Sequence, residues 1–309
     1  GDPSGKATDA AARVLGKKLG KVYRSRDELL KAERPAMAVV TLEAAKAPPV
    51  IDAALDAGCH VFAEKPACTR VKDFARLVRK ADGKHRLLML ALANRTNPEI
   101  QTARQLIRKG QIGKVYGIDM HIIADQTRLT RTSYHSSWFA KKDRAGGGHL
   151  AWLGIHWLDL GLYLTGTRVR QVTGFAGNVG GQPIEVEDSA AVALKLDNGT
   201  FATLTSGYYL DRGYHSHIKI WGSLGWVHLE PMKDVPLTWA SWKTGAPEGI
   251  QSYTGPKEPR GYTPFVRAAV RASAGLADAP ITSADSLHVL ETVFGLYRAS
   301  ETGRTGNIS

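Results

Sequence analysis

The sequence predicts an α/β fold in two parts: a domain built around a parallel sheet, then an α+β domain with a large, mostly antiparallel open sheet. In residues 1–95, short apolar strands alternate with helices, which is typical of a parallel sheet with crossover helices. In residues 96–309, longer strands follow one another with turn signals between them, which favours antiparallel pairing. A length of 309 residues is sufficient for two domains with separate cores.

The first part consists of short helices and strands in regular alternation. Met37 to Leu42 and Leu87 to Ala93 are apolar runs, typical of strands that are buried on both faces. Ser25 is a predicted N-cap. The predicted helices of this part cover residues 7–19, 27–32, 48–57 and 73–81, and the predicted strands cover residues 22–23, 37–42, 61–63 and 87–93.

The second part begins with a helix and continues with long strands. Asp197-Asn198-Gly199 lies between two of these strands and predicts a hairpin with a tight turn. The predicted helices cover residues 98–108, 264–274 and 283–302, with another that starts near His149. The predicted strands cover residues 115–124, 171–178, 189–196, 200–208, 217–222 and 226–230.

Composition excludes several classes of protein. The chain is 43% hydrophobic and 23% charged, which is ordinary for a globular protein. We expect no membrane span, because the chain contains no run of about 18 apolar residues. The formal charge is +12, but Lys and Arg are scattered and no basic helix with interleaved aromatic residues occurs, so we expect no nucleic-acid partner. Cys59 and Cys68 form neither a disulfide framework nor a metal-ligand set, and we expect no metal.

The tripeptide Glu64-Lys65-Pro66 follows a short predicted strand directly. Open α/β sheets bind ligands at the carboxyl ends of their strands, so Lys65 is placed where a ligand is expected. Lysine at such a position supplies a fixed positive charge or carries a proton, and burial lowers its pKa toward neutrality. A surface lysine held in a turn by Pro66 is the alternative that the tripeptide alone leaves open.

Polar and aromatic side chains share one face of the helix that is predicted to start near His149. The residues that recur at helical spacing on this face are His149, Trp152, His156, Asp159 and Tyr163. From the spacing alone, a buried structural histidine and a structural carboxylate are the better interpretations of His156 and Asp159. His149 and His156 lack the further ligands that a zinc site needs.

Several motifs, in this order and spacing, resemble the Gfo/Idh/MocA family of sugar and polyol oxidoreductases. The segment from Ala57 to Pro66 is similar to the family's Gly-Lys-His-Val-x-x-Glu-Lys-Pro signature. Asn94-Arg95 through Pro98 is similar to its Asn-Arg-x-x-Pro segment, and Gly146 through Asp159 resembles its Gly-Gly-Gly…Gly-x-His-x-x-Asp helix. The resemblance extends over nearly the whole chain.

The resemblance implies a domain division. Residues 1–95 would form a Rossmann-type NAD(P)-binding domain, and residues 96–309 a substrate and oligomerisation domain whose last helix is able to pack back on the first domain. The first domain is expected to be incomplete, because no strand with G-x-G-x-x-G precedes Asp2. We therefore expect the natural protein to be longer at its N-terminus.

The resemblance also implies roles for individual residues. Lys65 and His156 are the expected catalytic pair, because the family places this histidine over the nicotinamide site beside the Glu-Lys-Pro lysine. The expected cofactor is NAD or NADP, bound by Asp2, Thr41, Leu42, Lys46, Glu64, Lys65, Pro66 and Asn94. The expected substrate-binding residues are Asn94, Arg95, Trp138, His149, Trp152 and Asp159. Further candidates for a sugar pocket, each equally compatible with simple packing, are Tyr208, Tyr209, His215 and His217.

The chain departs from the family pattern at three positions. Trp152 stands where many dehydrogenase members have an aspartate that would orient the imidazole of the histidine four residues later. Trp152 is expected either to stack against a sugar ring or to pack in the core. Leu42 replaces the usual proline, and Lys46 falls where a histidine or tyrosine often contacts the nicotinamide end.

The expected function is hydride transfer between NAD or NADP and a hydroxyl of a sugar, glycoside or cyclitol. His156 would take the hydroxyl proton, and Lys65 would stabilise the developing negative charge. Trp152 in place of aspartate leaves open an NAD-dependent glycoside hydrolase, which oxidises a ring hydroxyl transiently so that the leaving group is eliminated. The absent glycine loop leaves open a non-catalytic binding protein.

The expected partners and location follow from the same resemblance. A small-molecule carbohydrate is the expected substrate, and the open sheet is the expected surface for a homo-oligomer, a dimer or tetramer. We expect a cytoplasmic protein. An exported form stays an alternative, because the sequence begins with Gly1 and a removed leader would leave no trace.

Overall fold

The computed structural model describes residues 6–210 and 212–308. Its helices are α1 (Lys6–Leu15), α2 (Arg26–Glu33), α3 (Ala47–Asp56), α4 (Val71–Gly83), α5 (Pro98–Arg108), α6 (Thr132–His135), α7 (Lys142–Ala145), α8 (Ile155–Thr165), α9 (Tyr262–Ser273) and α10 (Ser283–Thr302). Its strands are β1 (Met37–Val40), β2 (His60–Ala63), β3 (Leu88–Leu90), β4 (Val115–Asp125), β5 (Val169–Gly177), β6 (Ser189–Leu196), β7 (Phe201–Leu210), β8 (Tyr214–Gly222), β9 (Gly225–Leu229), β10 (Leu237–Ser241), β11 (Gln251–Ser252) and β12 (Gly306–Asn307).

The first sheet is parallel, as predicted, and has the order β1-β2-β3. Val39 pairs with Phe62, and Phe62 pairs with Met89, so the three strands end at one edge. Helices α3 and α4 bury Ile51, Leu55, Phe74 and Leu77. This packing fixes the carboxyl ends of β1 and β2, where the sequence places Thr41 and Lys65.

The last helix, α10, covers the edge of β3. The backbone N–H groups of Leu88 and Leu90 donate hydrogen bonds to the hydroxyl oxygens of Ser283 and Ser286, at 3.3 and 3.2 Å. An unpaired strand edge would otherwise leave buried donors unsatisfied. The last helix thereby packs against the parallel sheet.

The second sheet has nine strands in the order β11-β10-β9-β8-β4-β7-β6-β5-β12. Its pairs are antiparallel except for β4 with β7, which run parallel at the centre. The predicted hairpin joins β6 to β7: Gly199 adopts φ +84°, and Leu196 N donates to Thr200 O at 2.9 Å. Helices α8 and α10 pack on one face of this sheet. The mixed architecture matches the predicted fold class.

The structure corrects several predicted elements. Residues 22–23 form no strand, because Tyr23 packs in a connecting segment and its hydroxyl donates to the Glu33 carboxylate. The strand predicted over residues 87–93 ends at Leu90, and a 3₁₀ turn, Ala93–Thr96, follows it. The helix predicted near His149 starts with a π-helical turn, Leu150–Gly154, before α8.

The segment between β4 and this turn, residues 126–149, carries short helical turns that periodicity does not reveal. They include α6, α7 and the 3₁₀ turn Trp138–Ala140. Each is too short for a repeating apolar pattern, so only packing against the rest of the domain stabilises it. Across residues 6–210 and 212–308, none of the helices combines the length and the apolar character that crossing a bilayer requires.

Candidate active site

A cleft of about 680 Å³ lies between the two parts of the chain. The carboxyl ends of β1 and β2 form one wall of the cleft, which we call the strand-end wall: Thr41, Leu42, Glu43, Lys46, Glu64 and Lys65. The second part of the chain forms the other wall, which we call the insert wall: Arg128, Trp138, Phe139, Arg144, Trp152 and Leu153. The cleft therefore lies where open α/β sheets bind their ligands.

Lys65 lies at the base of this cleft and is only 7% exposed. Its Nζ donates a hydrogen bond to the carbonyl oxygen of Trp152 at 2.6 Å and lies 4.6 Å from the centre of the Trp152 ring. The nearest carboxylate oxygen, on Glu64, is 3.7 Å away. Burial lowers the pKa of Lys65 to about 8, although the Glu64 charge opposes the shift. Lys65 is thus a buried ammonium group that is only partly compensated.

Glu64 is held in place by a second contact, made through its other carboxylate oxygen. The hydroxyl of Tyr262, at the start of α9, donates to Glu64 Oε2 at 2.9 Å. This hydrogen bond directs one carboxylate oxygen away from the ammonium group and leaves the other for Lys65. Glu64 therefore tunes the charge of Lys65 without forming a close ion pair.

The carbonyl that accepts from Lys65 belongs to the π-helical turn Leu150–Gly154. Turns of this kind leave backbone groups outside the usual helical ladder and occur often at functional sites. The Trp152 indole N–H donates to Gly147 O at 3.0 Å, so its side chain is fixed as well. Trp152 is 8% exposed and lines the cleft with its ring edge-on to Trp138.

A buried carboxylate, Glu187, holds the start of this helical segment. Its two oxygens accept from the backbone N–H groups of Gly148 and Leu150, at 2.6 and 3.0 Å, and one also accepts from Tyr297 at 2.8 Å. A Cβ atom at Gly148 would lie 1.8 Å from the Glu187 backbone oxygen. The absence of a side chain at Gly148 therefore permits close packing at the start of this helix.

His156 lies one helical turn after Trp152, near Lys65. Burial, followed by the positive charge of Lys65, lowers the pKa of His156 to about 3. Its Nδ1 is buried and, among the described residues, has no hydrogen-bond partner. The imidazole is therefore neutral and holds one unused polar atom beside the ammonium group. His156 is not among the residues that line the cleft itself.

Three aromatic rings form a continuous part of the insert wall. Trp138 stacks on Phe139 with ring centroids 3.8 Å apart, and both meet Trp152 edge-on, at 5.2 and 5.0 Å. Aromatic faces of this kind suit the apolar faces of sugar rings as well as one another. The predicted residues Trp138 and Trp152 thus lie together in the cleft, and Phe139 joins them.

Arg95 and Asp159, both predicted to bind substrate, instead pair with each other. The Arg95 guanidinium donates to both Asp159 oxygens, with Nη2 2.6 Å from Oδ1, and its Nη1 reaches Asp285 of α10 at 3.1 Å. Burial opposes the charge of Arg95, but Asp159 and Asp285 outweigh burial and raise its pKa. Neither residue lines the cleft, so this ion pair joins α8 to the turn after β3 and to α10.

Other predicted residues also lie outside the cleft lining. His149 is fully buried, bonds Ser206 Oγ through Nδ1 at 2.7 Å, and meets the Tyr208 ring edge-on. His217 bonds Asp119 Oδ2 at 2.8 Å, on the face of the large sheet opposite the helices. The remaining residues outside the lining are Pro66, Asn94, Tyr209 and His215. Asp2 lies outside the described residues.

The predicted cofactor residues Thr41, Leu42, Lys46 and Glu64 do line the cleft. Sequence reasoning missed Glu43, Arg128, Phe139, Arg144 and Leu153 in the lining, and Glu187 and Tyr262 behind it. Glu43 follows the strand β1 by only a few residues, so its position was a usable signal. The others lie in irregular segments or reach the site from distant elements, and no local pattern marks them.

Comparison with known proteins agrees with this geometry. The model of an oxidoreductase family with an NAD-binding Rossmann fold matches residues 2–92, and that of the GFO/IDH/MocA C-terminal domain matches residues 100–228. Together these two matches cover more than half of the chain. The chain belongs to the Gfo/Idh/MocA family, as the sequence motifs predicted.

Individual relatives share only part of their sequence with this chain. An uncharacterized oxidoreductase of Schizosaccharomyces pombe is 31% identical over 173 residues, which are 56% of this chain and 46% of the relative. The D-glucoside 3-dehydrogenase of Escherichia coli is 26% identical over 174 residues, 51% of this chain and 48% of the relative. The chain thus spans about half the length of these two relatives.

A solved structure extends the likeness to the whole fold. The complex of levoglucosan dehydrogenase with NADH and levoglucosan superposes with a TM-score of 0.88 at 18% sequence identity. The likeness covers 100% of this chain and 88% of that one. At this identity it establishes a shared fold.

Proposed function

We propose that the protein is an NAD(P)-dependent oxidoreductase that transfers a hydride between the nicotinamide cofactor and a hydroxyl of a sugar, glycoside or cyclitol. The observation that carries the proposal is Lys65, a buried lysine with a pKa of about 8 at the base of a cleft at strand ends. Family membership supports the same reaction class. So does the likeness to a D-glucoside 3-dehydrogenase.

The residues present fit a nicotinamide cofactor. Thr41, Leu42 and Glu64 follow the ends of β1 and β2, where Rossmann-type sheets hold dinucleotides. The buried Nδ1 of His156 has no hydrogen-bond partner within the part of the chain that the structure describes, so it is available to a bound group. Thr41, Leu42, Lys46 and Glu64 would hold the cofactor along the strand-end wall. When bound, the cofactor supplies the acceptor for the hydride.

Lys65 is the better candidate of the catalytic pair for moving the proton. A proton carrier works best when its pKa is near the operating pH. Lys65, with a pKa of about 8, is neutral in roughly a tenth of molecules at neutral pH. His156, with a pKa of about 3, is a much weaker base. Neutral Lys65 would accept the hydroxyl proton as the C–H electron pair leaves, and His156 would hold the same oxygen by a hydrogen bond.

The insert wall supplies a surface for the sugar. Trp138 and Phe139 present stacked rings to the cleft opposite Thr41 and Leu42. A flat sugar ring bound on them would lie between the aromatic wall and the cofactor, with a carbinol directed at Lys65. This arrangement supports a cyclic polyol as the substrate class.

We also propose that the open face of the large sheet associates with a second copy. Phe201 and Trp221 are aligned on either side of Gly117 in the strand register, and they are 66% and 43% exposed. Exposed aromatic residues in register on a sheet face are typical of an interface. Sedimentation of the protein and of Phe201→Lys tests this: a dimer or larger assembly that dissociates in the variant is expected, and a monomeric wild type would contradict it.

The test of the proposed reaction uses the protein with NAD or NADP. We expect net reduced cofactor, measured by its absorbance, with at least one free cyclitol, sugar or glycoside from a panel. Glycoside cleavage without net reduced cofactor would establish the oxidation–elimination hydrolase instead. Absence of cofactor binding in a fluorescence titration would favour a non-catalytic binding protein and contradict the proposal.

A further inference from the structure

The cleft lining carries an excess of positive charge. Four of its side chains are basic, Lys46, Lys65, Arg128 and Arg144, and two are acidic, Glu43 and Glu64. Neutral sugars need hydrogen-bonding groups and aromatic faces, not net charge. The excess therefore favours bound partners of opposite sign, of which the proposed cofactor, with its phosphate groups, is one and an anionic substrate is a second.

Both lining carboxylates are already engaged. Glu43 pairs with Lys46 Nζ at 2.8 Å and with the Arg144 guanidinium. Burial opposes the charge of Glu43, but these two cations outweigh burial and lower its pKa. Glu64 accepts from Tyr262 and lies 3.7 Å from Lys65. Both carboxylates are therefore occupied by cations of the lining, and Lys65 is only partly compensated.

Arg128 is the lining cation that has no carboxylate partner among the described residues, although its guanidinium also interacts with the Tyr208 hydroxyl. It lies in the 3₁₀ turn Gln126–Arg128, directly after β4, and it is exposed to the cleft. None of the ion pairs formed among residues 6–210 and 212–308 includes Arg128. Its charge nevertheless reaches the base of the cleft, where it adds to the effect of burial in lowering the pKa of Lys65.

Resting on the proposed function, we infer that the substrate is an anionic sugar, and that Arg128 binds its carboxylate or phosphate group while Trp138 and Phe139 contact its ring. Arginine presents a planar fork of donors that matches both kinds of anion. Arg128 belongs to the same insert wall as the aromatic rings, so one ligand can meet the rings and the guanidinium together. Arg128 is thus a specificity-determining residue.

The experiment compares three ligands that share one ring: methyl glucoside, methyl glucuronide and methyl glucoside 6-phosphate. Initial rates of cofactor reduction give kcat/KM for each, and calorimetry gives the affinity of each for the protein. We expect the carboxylate or the phosphate to exceed the neutral glycoside by about 10- to 100-fold in affinity, the range of a charge-assisted hydrogen bond. The preferred ligand shows whether the substrate carries a carboxylate or a phosphate group.

Arg128→Gln should remove this preference, lowering the ratio of anionic to neutral affinity by about 10- to 100-fold. Arg131→Gln is the matched control, because Arg131 is exposed, only three positions away, and outside the cleft lining. It should leave the ratio within a factor of about two. The ratio should also fall with added salt in the wild type.

Equal binding of the charged and neutral ligands would overturn the inference, and so would an Arg128→Gln ratio equal to that of the wild type. A loss of cofactor affinity that matches the loss of anion affinity in Arg128→Gln would assign the residue to the cofactor and overturn it as well. Binding of an anionic glycoside that depends on Arg128, without any turnover, would support the anion site and contradict the proposed reaction. Different results would therefore contradict the proposed reaction and the proposed anion site.

Discussion

Lys65 and Arg95 are both buried cations that follow strands of the parallel sheet, but their charges are compensated differently. Arg95 meets both oxygens of Asp159 and also Asp285, and its pKa is raised despite its burial. Lys65 has a backbone carbonyl and a carboxylate oxygen at 3.7 Å, and burial lowers its pKa to about 8. The first arrangement stabilises structure, and the second leaves a proton available near neutral pH.

A residue that belongs to a family motif need not act in the reaction. Both residues belong to segments that resemble family motifs, and both were predicted to act at the site. Only the geometry separates them, because a charge that is fully paired in the interior has little left for a substrate. The incompletely paired one is the functional candidate.

The largest effect is expected from Lys65→Ala. Turnover should fall by about 10²- to 10⁴-fold, the range of lost acid–base or electrostatic groups, because no other group in the cleft replaces the proton carrier. Steady-state rates of cofactor reduction measure this, with circular dichroism to show that the fold persists. Lys72→Ala, an exposed lysine on α4, is the control and should keep the wild-type rate. Unchanged turnover in Lys65→Ala would remove Lys65 from the reaction.

Arg95→Ala should affect stability and not chemistry. Losing Arg95 leaves Asp159 buried without its partner, which should cost about 3–5 kcal/mol in the free energy of unfolding. Urea denaturation measures the loss, and Arg79→Ala, an exposed arginine, should change stability by less than about 0.5 kcal/mol. The double variant Arg95→Met with Asp159→Leu should lose less than Arg95→Ala. A folded Arg95→Ala enzyme with a strongly raised KM for the sugar would return Arg95 to the substrate site.

The two walls of the cleft differ in how well the sequence predicts their residues. The strand-end wall was largely predictable, because buried strands are marked by apolar runs and residues after them share one edge of the sheet. The insert wall was not, since Arg128 and Phe139 lie in short turns without periodicity and only tertiary packing positions them. Trp152 lies on the helix face that spacing marks, and its role, like that of Trp138, was assigned through the family resemblance.

The partnership of Arg95 with Asp159 was likewise hidden, because it joins residues 64 positions apart in the sequence. The parallel sheet, the hairpin at Asp197-Asn198-Gly199 and the long last helix followed from local signals. Where the prediction differed, at residues 22–23 and at the start of α8, long-range packing outweighed local preference. Local sequence patterns therefore predict helices and strands better than they predict which distant residues form contacts.

The pH dependence separates the members of the catalytic pair. Because neutral Lys65 accepts the proton during oxidation, kcat/KM should rise about 10-fold per pH unit below an apparent pKa of about 8 and then level off. Reduction of the ketone needs protonated Lys65, so its rate should fall above the same pH. Rates in both directions, measured across neutral and alkaline pH, check the sign. A transition in the acidic range alone would point to a different group.

The smallest effect is expected from His156→Gln. The imidazole is neutral because burial and the Lys65 charge hold its pKa near 3, and glutamine retains a hydrogen-bonding group at this place. Turnover should fall by about 10-fold or less, the loss of one imperfect hydrogen bond, while the transition near pH 8 remains. Disappearance of that transition in His156→Gln would make the histidine the proton acceptor, as the family resemblance implied.

The ionisation of Lys65 itself is the most direct measurement. Protein labelled with ¹³C-lysine can be titrated by NMR, and the Lys65 signal is assigned by its absence in Lys65→Arg. The buried, partly compensated ammonium should titrate with a midpoint near 8, well below the ordinary lysine value and below the signals of the exposed lysines. A midpoint at or above about 10.4, the ordinary value, would contradict the assignment of Lys65 as the proton carrier.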